Sequence, residues 1–217
     1  MTQFSIAAPE LARLTHNALA FMPARSAVGA CRLTIGRDRG TPVLEITATD
    51  LYAAGKDFAE LDDFPRGTFE TIDLSRENLV TFDKIARAKK KDEVRIEIRH
   101  QDGMSVLDDN GAWMPFLDAS DRRQPVDLWE RVDETLTRLE RVSPVIPEFL
   151  MIDPSIMAKF AKVKCSGETI CDLYIAGPDE PILVKIGSTF RGAIMPVSRD
   201  EAVASDLIGP EGGWDFS

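Results

Sequence analysis

The stretch Pro181-Ile-Leu-Val-Lys-Ile-Gly-Ser-Thr-Phe-Arg-Gly-Ala-Ile-Met-Pro-Val-Ser198 decides how the rest of the chain is read. Ile182–Ile186 is an apolar β-run, Gly187-Ser188 is turn chemistry, and a second run over Gly192–Val197 closes on Ile-Met-Pro-Val. Immediately upstream, Ile170–Ile175 reads as another strand. A helix opening at Asp153-Pro-Ser comes before it, and an apolar run over Glu148–Ile152 comes before the helix. The unit is therefore strand, helix, three strands.

The same order occurs twice more towards the N-terminus. Gln3–Ala7 opens the first copy. Pro9 then suits the first turn of a helix reaching Met22, with Leu11, Leu14, Ala18, Phe21 and Met22 on one face and Arg13, His16, Asn17 and Ala20 opposite. Strands at Ala30–Arg37, Pro42–Ala48 and Lys56–Leu61 follow, the first two joined by the hairpin chemistry of Arg37-Asp-Arg-Gly-Thr-Pro42. The second copy has a strand at Thr68–Leu74 and a helix capped by Ser75 that runs to Lys91. Its strands are Val94–Arg99, Met104–Leu107 and Trp113–Leu117, turning at Asp108-Asp-Asn-Gly111. Between the second and third copies, Asp121–Pro147 is too short for another unit. Val126–Val142 reads either as a helix, with Leu128, Val132, Leu136 and Leu139 on one face, or as a linker. The fold class is α+β, with helices on one face of antiparallel sheets. The expected organisation is a two-repeat domain over 1–125, a linker or helix over 126–147, a half-domain over 148–199 and a flexible tail over 200–217.

Composition places the chain among ordinary globular proteins, with 44% hydrophobic and 29% charged residues. No apolar run approaches the ~18 residues of a membrane span, and the start lacks signal-peptide regions, so an intracellular, cytoplasmic protein is expected. Three cysteines without Cys-x-x-Cys spacing and two histidines argue against structural zinc and for reduced, mostly buried thiols; no metal and no cofactor is expected.

Charge is distributed unevenly. The net charge is −10, yet Lys84–Lys91 carries five positive charges and no negative one, and Lys159–Lys164 adds three. With those eight set aside, 18 basic residues face 36 acidic ones. On the second-copy helix Leu79, Phe82, Ile85 and Ala86 cluster on one side. Arg76, Lys84, Arg87, Lys90 and Lys91 lie opposite, interrupted by Asp83 and Val80. The third-copy helix repeats this, with Ile156, Met157, Phe160 and Val163 inward and Lys159 and Lys162 outward. Basic outer faces on sheet-backed helices suit phosphate contacts that carry no sequence information, although one such face alone is more often merely solvated.

Thr47-Ala-Thr-Asp50, the Phe116-Leu-Asp segment and the Met195-Pro-Val ending, set in these repeats, resemble the bacterial DNA sliding clamp, the beta subunit of DNA polymerase III. The resemblance covers roughly four-fifths of the chain: residues 3–130 resemble the clamp's middle domain, and 148–199 the last half of its final domain. It implies a non-enzymatic, ring-forming processivity factor whose helices face duplex DNA. The phosphate contacts would be Lys84, Arg87, Lys90, Lys91, Lys159 and Lys162, with Arg13 in a lesser role. It also implies a pocket for a short apolar peptide at Thr49, Tyr52, Ala53, Ala54, Ala193, Met195, Pro196 and Val197. The implied partners are double-stranded DNA, a polymerase or other protein carrying a clamp-binding motif, a clamp loader and further copies of the chain. The sequence departs from the family where Tyr52-Ala53 replaces a His-Arg pair and where one unit is missing; a ring of twelve units would take four such chains.

The other signals are weaker. Glu60-Leu-Asp-Asp63 and Asp108-Asp109 lack the supporting ligands of a metal-dependent nuclease, and Gly209-Pro-Glu-Gly-Gly213 lacks the Lys-Ser/Thr of a phosphate loop. No Ser-His-Asp context supports a hydrolase. Trp214-Asp-Phe216 in the tail reads as a solubilising end or as a segment that docks into an apolar groove. A second function also fits the residues, a clamp-like adaptor or decoy that binds replication proteins without encircling DNA.

Overall fold

Two units interlock by exchanging their opening strands. The first comprises β1 (Thr2–Ala7), α1 (Ala8–Ala20), β2 (Ala30–Asp38), β3 (Thr41–Thr49) and β4 (Ala53–Glu60). The second comprises β5 (Ile72–Leu74), α2 (Arg76–Lys89), β6 (Arg95–Gln101), β7 (Gly103–Leu107) and β8 (Trp113–Phe116). β1 pairs with β6 of the second unit, and β5 pairs with β2 of the first. The computed structural model describes residues 2–22, 30–61, 71–89, 95–101, 103–107, 113–116, 128–147, 150–165, 167, 170–177 and 180–196. Lys90, Lys91, Val197 and the tail over 200–217 lie outside them.

Local chemistry accounts for the element ends. Pro9 occupies the first turn of α1, where its missing N–H costs nothing. Ser75 Oγ accepts from the Asn78 N–H at 3.1 Å and so starts α2. Arg39 and Gly40 both hold positive φ, 48° and 94°, as a two-residue type I′ hairpin between β2 and β3 demands.

The segment after the second unit is helical. α3 (Leu128–Arg141) precedes the third unit, made of α4 (Pro154–Phe160), β9 (Cys171–Ile175), β10 (Ile182–Ile186) and β11 (Phe190–Ile194). β11 pairs antiparallel with β4, so one seven-stranded sheet runs β5-β2-β3-β4-β11-β10-β9 beside a four-stranded sheet β1-β6-β7-β8. Within the strand expected over Glu148–Ile152, the described part, Leu150–Ile152, is irregular and pairs with no strand among the described residues. Residues 148 and 149 lie outside the described set.

The β4–β11 seam carries the core. Gly55 and Gly192 are cross-strand partners there. Above them Phe21, from the end of α1, meets Phe160 of α4 edge-on at 5.0 Å and stacks on Phe190 of β11 at 5.8 Å. A Cβ on Gly55 would stand 2.6 Å from Phe21, and one on Gly192 would stand 2.5 Å from Phe160 and 2.7 Å from the Ala54 carbonyl oxygen. Glycine is required because three rings lie directly on the backbone. On the opposite face, α3 packs Leu136 and Leu139 against Leu183 and Ala193. Its N-terminal Trp129 sits under the Arg32 guanidinium of β2, 5.1 Å from the ring centre. α3 therefore straps the sheet from β2 across the seam to β10.

The side of α1 opposite its apolar face is a tie to β4 and the third unit. Asn17 is fully buried, donating to Asp57 (2.7 Å) and to the Lys164 carbonyl (2.8 Å) and accepting from the Lys164 N–H (2.8 Å). Among the described residues no helix is long and apolar enough to cross a membrane.

Gly192→Ala is expected to lower stability by about 1–3 kcal/mol, since its methyl must displace Phe160 or the β4 backbone. Urea unfolding monitored by circular dichroism checks this; an unchanged midpoint would mean that the seam yields without cost.

Candidate functional site

Thr49 and Asp50 close a turn that projects two apolar side chains. Thr49 Oγ1 donates to the Ala53 carbonyl at 2.9 Å and accepts from the Leu51 N–H at 3.0 Å. Asp50 Oδ1 accepts from the N–H groups of Tyr52 (3.3 Å) and Ala53 (3.1 Å). These bonds hold Leu51 at φ 76°, a strained conformation for leucine, and leave Leu51 and Tyr52 46% and 67% exposed. Met195, 45% exposed, follows β11 and donates its N–H to the Tyr52 carbonyl at 3.1 Å, extending the seam to the turn.

A cavity of about 390 Å³ opens between this turn and α3. It brings together Thr49, Tyr52, Ala53, Ala54, Ala193 and Met195 of the expected peptide pocket. Pro196 is half-buried beside Met195 but does not line the cavity, and Val197 lies outside the described residues. Leu51 and the α3 residues Leu128, Arg131, Val132 and Thr135 complete the lining, and the sequence reading placed none of them there. The signal was the apolar stripe Leu128–Val132, which had to cover some surface. Ion pairs fix this wall: Lys56 bridges Glu45 (2.8 Å) and Asp133 of α3 (3.2 Å), and Arg191 meets Glu140 at 3.0 Å. Burial opposes the Lys56 charge, but Glu45 and Asp133 prevail and raise its pKa.

The expected phosphate contacts divide into two groups on the opposite, helical face. Lys84 and Lys162 are exposed. Arg87 is about half exposed, pairs with Asp83 at 2.7 Å and donates to His16 Nδ1 at 2.8 Å. His16 in turn donates from Nε2 to the Lys162 carbonyl at 3.0 Å, so the ring bridges α2 to the loop after α4. Burial, then the nearby Lys164 charge, lowers the His16 pKa. Exposed Lys164, outside the expected set, joins this group, which therefore gathers Lys84, Arg87, Lys162 and Lys164 around one joint.

Arg13 and Lys159 are largely buried and held in ion pairs, unlike the outward-facing contacts expected of both. Arg13 is 10% exposed and pairs with Asp57 and with Glu10 (2.8 Å), also donating to the Phe58 carbonyl (2.8 Å) and Thr189 (3.1 Å). Burial works against its charge, yet Asp57 and Glu10 outweigh that and raise its pKa. Lys159 is 15% exposed and pairs with Asp50 of the cavity turn. A helical wheel marks both positions as outward, but buried carboxylates from β4 and its turn require them inside. The thiols also divide: Cys31 is buried, with burial raising its pKa, whereas Cys171 is exposed on β9, against the expectation of mostly buried cysteines.

No protein-family model and no curated protein sequence matches the chain. Solved structures do match. The DNA polymerase III beta subunit of Thermotoga maritima superposes with a TM-score of 0.65 at 10% identity, covering 91% of this chain and 66% of that one. Caulobacter crescentus pol III beta gives 0.67 at 12% identity, covering 90% and 65%. The DnaN sliding clamp of Bartonella birtlesii, in a structure with griselimycin bound, gives 0.62 at 13% identity, covering 90% and 66%. Likeness at such identity is one of fold. The chain has the fold of the bacterial DNA polymerase III beta sliding clamps over nine-tenths of its length, and spans just under two-thirds of theirs.

Proposed function

We propose that this chain is a clamp-like processivity factor, a non-enzymatic protein that tethers a polymerase or another replication or repair partner to duplex DNA. The observation that carries the reading is the apolar cavity at the β4–β11 seam, placed on the face opposite the basic helical surface. A short apolar peptide fits such a cavity, because methionine adapts its shape to different side chains and the alanines leave room. Phosphates would meet Lys84, Arg87, Lys162 and Lys164, with Lys90 and Lys91 assigned the same role from the sequence. Arg13 and Lys159 take a structural role instead. The clamp loader and further copies implied by the family resemblance remain part of the reading.

One observation favours a second function, an adaptor or decoy that binds replication proteins without encircling DNA. Two of the cations expected on the helical face are held in internal ion pairs, which leaves that face fewer charges for phosphate.

Both halves of the reading can be measured. A fluorescent peptide carrying a clamp-binding motif is expected to bind, and Met195→Ala to weaken it about tenfold; an unchanged affinity would remove the cavity from the account. Charge reversal of Lys84 and Arg87 to Glu is expected to weaken binding to duplex DNA at every sequence and lower the salt slope by about 2, with folding intact. Peptide binding without salt-dependent DNA binding would select the adaptor.

A further inference from the structure

The first two units show how a unit of this fold is completed, and among the described residues the third lacks that completion. In the seven-stranded sheet, β2 carries Cys31 and Leu33 on its helix-facing side, 0% and 2% exposed, because β5 of the neighbouring unit pairs alongside at Leu74↔Cys31 and Ile72↔Leu33. β1 covers β6 in the same way, with Phe4 and Ile6 against the buried Ile98 and Ile96. In the third unit β9 stands where β2 and β6 stand. Leu173 pairs with the fully buried Val184 as Leu33 pairs with the buried Ile46, which makes Leu173 the counterpart of Leu33 and Cys171 that of Cys31. Yet Leu173 is 41% exposed, Cys171 is exposed, and no strand pairs with the outer edge of β9 among the described residues.

The missing strand has a candidate in the chain itself. Phe4 and Ile6 precede α1 and Ile72 and Leu74 precede α2, each pair alternating onto the core before the helix begins. Leu150 and Ile152 stand in the same place before α4 and pack against the same core, yet they form no strand. In both complete units the opening strand pairs with the other unit, never with its own. Among the described residues the third unit thus offers an unpaired opening segment and an unpaired edge, and in the other units such an opening strand pairs outside its own unit. The surroundings are correspondingly apolar: Ile170 is 59% exposed, and Val145 and the fully exposed Ile146 lie on the linker whose Val145 N–H bonds the Ile175 carbonyl at 2.7 Å. That contact occupies only the far end of β9 and leaves Cys171–Leu173 open, the length over which β5 covers β2.

We propose that two copies of this chain associate through their third units, each adding Leu150–Ile152 as a strand to the β9 edge of the other. By the equivalence above, Leu150 would lie against Leu173 and Ile152 against Cys171 of the second copy. The two half-domains would then form one whole domain, with two α4 helices sharing a core as α1 and α2 do. The surface is separate from the peptide cavity, so the pairing holds or fails independently of the function proposed above.

Light scattering on the full chain, of 24.0 kDa, tests this at concentrations rising through the micromolar range. The wild type is expected to contain at least two copies, and Leu173→Asp to halve its mass, while Met195→Asp, on the other exposed apolar patch, leaves it unchanged. A wild-type monomer throughout would overturn the proposal and leave the edge to a strand from a different protein. An assembly broken by Met195→Asp and not by Leu173→Asp would overturn it too. Ile152→Cys in a Cys165→Ser background adds a readout independent of folding losses: mild oxidation is expected to join the introduced thiol of one copy to Cys171 of the next. A disulfide within one chain, or none, would contradict the exchange.

Discussion

The structure depends on one constraint, the close approach of two backbones beneath three phenylalanine rings. Gly55 and Gly192 face each other across the β4–β11 seam, and Phe21, Phe160 and Phe190 settle on the space that their missing side chains leave. Those rings come from the first helix, the last helix and the last strand, so a single contact joins segments about 170 residues apart, a separation given by Phe21 and Phe190. Fully burying one such ring contributes roughly 1.5–3 kcal/mol. Without the seam the third unit would be held by α3, the polar ties of α1 and the Lys159–Asp50 pair. α3 lies on the other face of the same seam, so the joint is clamped from both sides.

The seam also makes the two candidate surfaces parts of one object. Asp50 organises the turn at the cavity mouth through two N–H bonds, and its other oxygen pairs with Lys159 of α4, on the helical side. Arg13 and Asn17 converge on Asp57, which lies on β4 and is 2% exposed. A buried carboxylate requires its partners, because removing one leaves an uncompensated charge. The Lys159–Asp50 pair and the bonds of Asn17 to the Lys164 backbone fix the third unit against the first, and Asp57 orients Asn17 from within the first unit. Of the two cations that a helical wheel turns outward, Lys159 meets the turn at the cavity mouth and Arg13 ties α1 to β4 and to Thr189.

Much of this fold was legible because its signals are local. An apolar run marked β10, turn chemistry marked the hairpin at Arg39-Gly40, and 3.6-residue spacing marked α1 and α2. Thr49 and Asp50 were legible as a motif because their side chains bond backbone within four residues. The pairing of β4 with β11 leaves no local trace beyond two glycines. The burial of Arg13 and Asn17 was hidden for the same reason: polarity at an outward position predicts water, and only the tertiary fold places Asp57 and the Lys164 backbone there instead. Leu128, Val132, Leu136 and Leu139 allowed either helix or linker, and the outer faces of β10 and β11 decided for the helix. The apolar run expected as a strand over Glu148–Ile152 is irregular at Leu150–Ile152, since a strand needs an edge as well as a pattern.

Net charge is the last point where local structure overrides the whole. An excess of ten negative charges argues against DNA only if a phosphate feels all of them equally. It does not, because exposed charges are screened over about 8 Å at physiological salt. The acidic residues of α3, among them Asp133, Glu134 and Glu140, lie on one side of the sheet, and Lys84, Arg87, Lys162 and Lys164 lie on the other, with the helix layer between. Packed layers stand roughly 10 Å apart, so two of them exceed that screening distance. The net charge therefore does not by itself argue against the phosphate contacts proposed for the helical face.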